Sequence, residues 1–60
     1  MKDYLVSCKY ETYCQGWERS SGDFLVRAES FRDACVKIMD HMKNNQYMIN
    51  PEGFENRTIE

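Results

Sequence analysis

Four side chains in this sequence have the chemistry to hold a metal or supply a nucleophile: Cys8, Cys14, Cys35 and His41. Their spacing, C-x5-C-x20-C-x5-H, offers the donor types of a closed zinc site. Elementary geometry works against it. On a straight strand Cys8 and Cys14 stand about 20 Å apart. On a helix Cys35 and His41 point roughly 120° away from one another. No metal or other cofactor is therefore expected. Cys8 and Cys35 read as small core residues, a common place for free cysteine. Cys14, beside a loop, is the one thiol placed to react. A cysteine nucleophile needs a base within hydrogen-bond reach, and the single histidine belongs to a helix end while Cys14 belongs to a hairpin. No glycine-rich phosphate cradle and no paired-carboxylate arrangement stands out. The expectation is a non-enzymatic chain with no evident small-molecule substrate.

Trp17 is the residue whose type and surroundings disagree most. It lies among Gln15, Glu18 and Arg19, in what reads as a polar loop. One role is to fold back over the open end of a small core. The other is to anchor a partner, since Trp, Tyr and Arg concentrate binding energy at interfaces. Leu5, Tyr13 and Leu25 fall on the strand positions opposite the core face, among Lys9, Arg27 and Glu29. Such a mixed face serves either as a solvated surface or as a docking surface. The candidate partner-binding set is Leu5, Tyr13, Trp17, Arg19, Leu25 and Arg27. Lys9, Arg19 and Arg27 with Tyr13 and Trp17 also make a second candidate, a stacking platform for single-stranded nucleic acid. The interleaved Glu11, Glu18 and Glu29 would repel phosphates and rank that reading second.

Composition narrows the classes further. The chain has 60 residues, so it holds one domain, 1–60, of marginal stability. With 42% hydrophobic residues it can build a core, and wholesale disorder is not expected. The formal charge of −2 is too balanced to announce a nucleic-acid or membrane partner. No run is long and apolar enough to span a bilayer, and the start has no charged segment followed by an apolar one. Cytoplasmic residence is the expectation. Three cysteines cannot all pair internally. A Cys8–Cys35 bridge is open to the geometry, but a reducing compartment favours free thiols.

These side chains must be positioned by very few elements. Residues 3–13 alternate, with Tyr4, Val6, Cys8 and Tyr10 on one face and Ser7, Lys9 and Glu11 on the other, which is the pattern of a half-buried strand. Phe24, Val26 and Ala28 repeat it against Leu25, Arg27 and Glu29, so a second strand is expected there. Ser20-Ser21-Gly22-Asp23 has turn chemistry, and Gly16 would mark a bulge if the first strand continues to Trp17. So short a connection makes the pair an antiparallel hairpin.

Ser30 opens a helix, with Asp33 at capping-box spacing. Phe31, Ala34, Cys35, Ile38 and Met42 share one face, and Met39 lies at its edge. Asn44 or Asn45 would close the helix in the left-handed conformation. Asn50-Pro51-Glu52-Gly53 fits a type I turn between two short strands, Tyr47 to Ile49 and Phe54 to Ile59.

The stretch from Phe24 to Ile38 resembles a strand-to-helix junction common in small bacterial and bacteriophage proteins, a strand ending in V-x-A-x-S followed by a helix with alanine four residues on. Val26, Ala28, Ser30 and Ala34 carry the likeness. The resemblance implies a phage or mobile-element accessory protein as source and transfers no function and no site residue.

The expected fold is α+β, ordered β-β-α-β, or β-β-α-β-β if Tyr47 to Ile49 pairs separately. One helix packs on one face of a small antiparallel sheet. The expected function is protein–protein binding, either to a second copy of the chain or to a host or regulatory protein, with a nucleic-acid-binding module as the alternative.

Overall fold

A computed structural model of the chain describes residues 1–59. The order is β1 (Lys2–Tyr13), β2 (Trp17–Ala28), α1 (Phe31–Asn44) and β3 (Met48–Asn56). The strands form one antiparallel sheet in the order β2-β1-β3, with β1 in the centre. This is the α+β arrangement expected, in its β-β-α-β form.

The hairpin is longer than its turn signals suggest. Its register runs without a break from Lys2 opposite Ala28 to Tyr13 opposite Trp17. The reversal falls at Cys14-Gln15-Gly16, where Gln15 and Gly16 take φ of 62° and 137°. Ser20 to Asp23, expected as the turn, lies inside β2, and Trp17 opens that strand rather than sitting in a loop. Gly16 serves the turn and is not a bulge in a longer β1. Twelve paired positions satisfy far more backbone hydrogen bonds than a hairpin folded at Gly22 would, and unpaired buried peptide groups are costly.

The third strand also departs from expectation. Asn50-Pro51-Glu52-Gly53 does not divide two strands. It lies within β3, which pairs with β1 on both sides of this run, with Glu52 opposite Lys9 inside it. Asn50 and Gly53 take φ of 55° and 66°. The register slips between Ser7 and Lys9 and again between Lys9 and Glu11. Turn residues here become bulges, which an edge strand tolerates because a proline there need not donate to a neighbour. The strand stops at Asn56, short of the expected Ile59. Beyond it Arg57 N–H still donates to Leu5 O at 2.7 Å, and the Thr58 hydroxyl accepts from Leu5 N–H at 2.9 Å.

The helix begins where the sequence places it. Ser30 is extended (φ −149°, ψ 166°), and its side chain accepts from Asp33 N–H at 3.2 Å. The far end differs. Asn45 is extended, not left-handed, and its N–H donates to the carbonyls of both His41 and Met42. From there a tight turn carries the chain into β3, closed by Met48 N–H donating back to Asn45 O at 3.0 Å.

The apolar stripe of α1 lies on the sheet. Val6, Cys8 and Ala28 from the strands meet Ala34, Ile38 and Met42 from the helix, all almost wholly buried. Tyr4, Tyr10, Phe24, Val26, Phe31, Cys35, Met48 and Phe54 pack around them, each partly buried. The Tyr10 ring meets the edge of Phe24 at 5.8 Å, and Tyr4 meets Phe31 at 6.5 Å. Met39, 41% exposed, is at the rim as expected.

Candidate functional site

One layer of helix covers one face of the sheet, so the other face is bare. Period-two alternation decides which side chains it carries. Odd-numbered residues of β1 stand opposite odd-numbered residues of β2 in this register. The even-numbered positions hold the core residues Val6, Cys8 and Ala28. Leu5, Tyr13, Trp17, Arg19, Leu25 and Arg27 are all odd, and the register therefore places every one on the uncovered face.

They do not form one patch. Tyr13 and Trp17 pair next to the turn with ring centroids 5.2 Å apart and planes at 59°. They are 49% and 52% exposed. Leu5 and Leu25 pair eight positions away, at about 26 Å along the strands. Leu25 is 74% exposed. Between the two apolar pairs run Ser7 with Asp23, Lys9 with Ser21, and Glu11 with Arg19. Trp17 does not fold over the core end. Its ring rests on Tyr13, so its apolar area stays available.

Tyr47 joins the aromatic end, although sequence reasoning passed it over. It is 66% exposed, and its carbonyl accepts from Tyr13 N–H at 3.0 Å. An aromatic residue just past the helix C-cap was the available signal. Its nearness to Tyr13 comes from β3 pairing with β1, which local pattern does not reveal.

Both arginines on this face are engaged. Arg19 reaches across β1 to the Glu52 carboxylate on β3, and Arg27 Nε lies 3.9 Å from Asp3 Oδ1. Both pairs are well exposed and contribute little stability. They do offset positive charge that a phosphate backbone would require, and Lys9 stands beside Glu52 in the register.

The thiols are dispersed. Cys14 is exposed in the turn, Cys8 is in the core and Cys35 is half-buried on the helix; all three are free. Burial pushes the Cys8 thiol up from its ordinary value, and a charge on nearby Cys35 adds to the effect. Cys35 is also raised by burial, with a backbone hydrogen bond acting in the opposite sense. His41 lies on the flank of α1, lining a groove beside β2 rather than facing Cys14. Among the described residues no group of three or more His, Cys, Asp or Glu side chains converges on a metal position. No helix among them is long and apolar enough to cross a membrane.

The groove itself holds about 490 Å³. Phe24, Val26 and Arg27 line it from β2; Lys37, Ile38 and His41 line it from α1. Comparison with protein-family models, curated proteins and solved structures returns no match for this chain.

Proposed function

We propose that this protein is a non-enzymatic interaction module that binds protein surfaces through its uncovered sheet face. The observation that carries the reading is the Tyr13–Trp17 pair: two half-exposed aromatic rings in tilted contact at the hairpin end, outside the core cluster. Rings held this way lose little rotamer freedom on binding and supply large contact areas. Leu5 and Leu25 offer a second apolar contact, and Arg19 and Arg27 give direction to the approach. The partner this chemistry fits is a protein surface with two apolar recesses about 26 Å apart and polar groups between them.

The test is capture from host lysate with wild type, Trp17→Ala and Leu25→Asp in parallel, followed by titration of the purified partner. Both variants keep the core residues, so far-UV circular dichroism should match wild type. A partner lost with both variants supports the reading. A partner retained equally by all three removes this face from the interface. Binding of an oligonucleotide that weakens steeply with salt would favour the nucleic-acid alternative instead.

A further inference from the structure

The two edges of the sheet are finished differently. Along β3 the ladder is broken twice, Pro51 removes a donor, and Asn50 and Gly53 bend the backbone. These are the devices that stop an edge strand from recruiting another strand. β2 has none of them. Its register is unbroken over twelve residues, and no strand among the described residues lies on its far side.

The free peptide groups of β2 can be assigned. Lys37 Nζ donates to Arg27 O at 2.6 Å, so the Arg27 carbonyl points outward, towards the helix flank. On the other side of β1, Tyr13 N–H and Leu5 O bond towards β3 and its continuation. Odd-numbered residues of β1 therefore turn away from β2, and odd-numbered residues of β2 turn away from β1. The antiparallel alternation then points the N–H and C=O groups of Asp23, Leu25 and Arg27 into the open.

We infer that this edge pairs with the same edge of a second copy, antiparallel, about a two-fold axis at Leu25. The charge pattern selects both the partner and the register. Centred on Leu25, Leu25 meets its own mate, Asp23 meets the partner's Arg27, and Arg27 meets the partner's Asp23. On the helix side Phe24 meets the partner's Val26, so half-exposed groove residues from both copies become covered. Centred on Asp23, that carboxylate would face itself and Arg19 would face Arg27. Centred on Phe24, Asp23 would face Leu25. Centred on Ser21, Asp23 would meet Arg19. In that register, however, the helix-side layer is Ser20 and Gly22, which bring no apolar groove surface together.

Two protomers joined this way form one six-stranded sheet with both helices on the same side and both bare faces on the other. Lys37 stays compatible with pairing, because the Arg27 carbonyl has a second lone pair for the partner's Asp23 N–H. The inference concerns the edge of the sheet and stands whether or not the bare face binds a partner.

The experiment is sedimentation equilibrium on wild type, Asp23→Arg, Arg27→Asp, the double variant Asp23→Arg/Arg27→Asp, and Arg19→Asp. All three positions are exposed, and circular dichroism checks that each variant is folded. The wild type is expected to be a reversible dimer. Each single reversal at 23 or 27 should weaken it about tenfold, from two opposite-charge pairs becoming two like-charge pairs. The double variant should restore it, and Arg19→Asp should leave it unchanged. In hydrogen exchange, the amides of Asp23, Leu25 and Arg27 should gain protection as wild-type concentration rises. A wild type that stays monomeric at every concentration overturns the inference. So does a dimer indifferent to both single reversals, a double variant that fails to recover, or a dimer that Arg19→Asp weakens equally.

Discussion

The Tyr10 ring lies over Gly22. A Cβ on Gly22 would stand 3.4 Å from the Tyr10 hydroxyl oxygen and 3.6 Å from the ring. Gly22 is on the helix-side face, opposite Cys8, and its backbone has no need of positive φ. Its role is to leave room for the ring, which in turn meets Phe24 edge-on. Gly22→Ala should therefore be near neutral, with the small contact offset by lower backbone entropy in the unfolded chain. Gly22→Val should displace Tyr10 and cost about 1–3 kcal/mol. Urea unfolding of the two variants against wild type checks the pair. A valine variant as stable as the alanine variant would contradict the packing described.

Met42 is the largest wholly buried side chain. A 60-residue domain is stable by roughly 3–9 kcal/mol. Met42→Ala should cost about 2–5 kcal/mol. That is a large share of the total, so the urea midpoint should fall steeply or the native baseline should vanish. Val36→Ala, at an exposed helix position, is the contrasting control and should change little.

Ser30→Ala removes the side-chain acceptor for Asp33 N–H. The expected cost is about 1 kcal/mol, with Ser30→Gly losing only a few tenths. Thermal melts of both variants give the comparison. A Ser30→Ala variant as stable as wild type would show that the hydroxyl contributes nothing at the helix start.

Alkaline pH should destabilise the fold through its buried thiols. Cys8 and Cys35 titrate higher in the folded state than in the unfolded chain because burial disfavours the thiolate. Above the ordinary thiol range, about pH 8.5, the unfolded chain releases protons that the folded chain keeps. Stability is therefore fully present below that range and declines as pH rises through it. Cys8→Ala should flatten this alkaline decline while lowering stability at neutral pH. Thiol-specific alkylation of the native protein should modify Cys14 first and Cys8 last. Reaction of Cys8 before Cys14 would contradict its burial.

The Tyr13–Trp17 contact should be measurable by a double-mutant cycle. Coupling of about 0.5–1.5 kcal/mol is expected from two rings in this geometry. Trp17 is the single tryptophan, so its emission reports on the same site. Its half-exposed ring should emit at an intermediate wavelength and shift to the blue when a partner covers the face.

Much of this fold was legible along the chain. The alternation from Tyr4 to Tyr10 and from Phe24 to Ala28 assigned two strands and their inner faces. The stripe Phe31, Ala34, Ile38, Met42 assigned the helix and the side it buries. These signals are periodic and repeat over several turns or pleats. Punctuation was less reliable. Gly22 and the Asn50 to Gly53 run carry turn chemistry, yet both lie in strands. A glycine can answer a steric demand from a distant ring, and a turn sequence can become a bulge when a neighbouring strand supplies hydrogen bonds.

The sequence by itself determined which residues face inward, because side-chain alternation needs only the local backbone period. It also determined that Leu5, Leu25, Tyr13 and Arg27 would face outward. Only the tertiary structure decided where the hairpin turns, that the Trp17 ring meets Tyr13, and that β1 takes the centre of the sheet. Those outcomes depend on register and strand order, which are set by pairing over dozens of residues. The same pairing leaves the β2 edge open while β3 is bent and blocked, and no local pattern carries that difference.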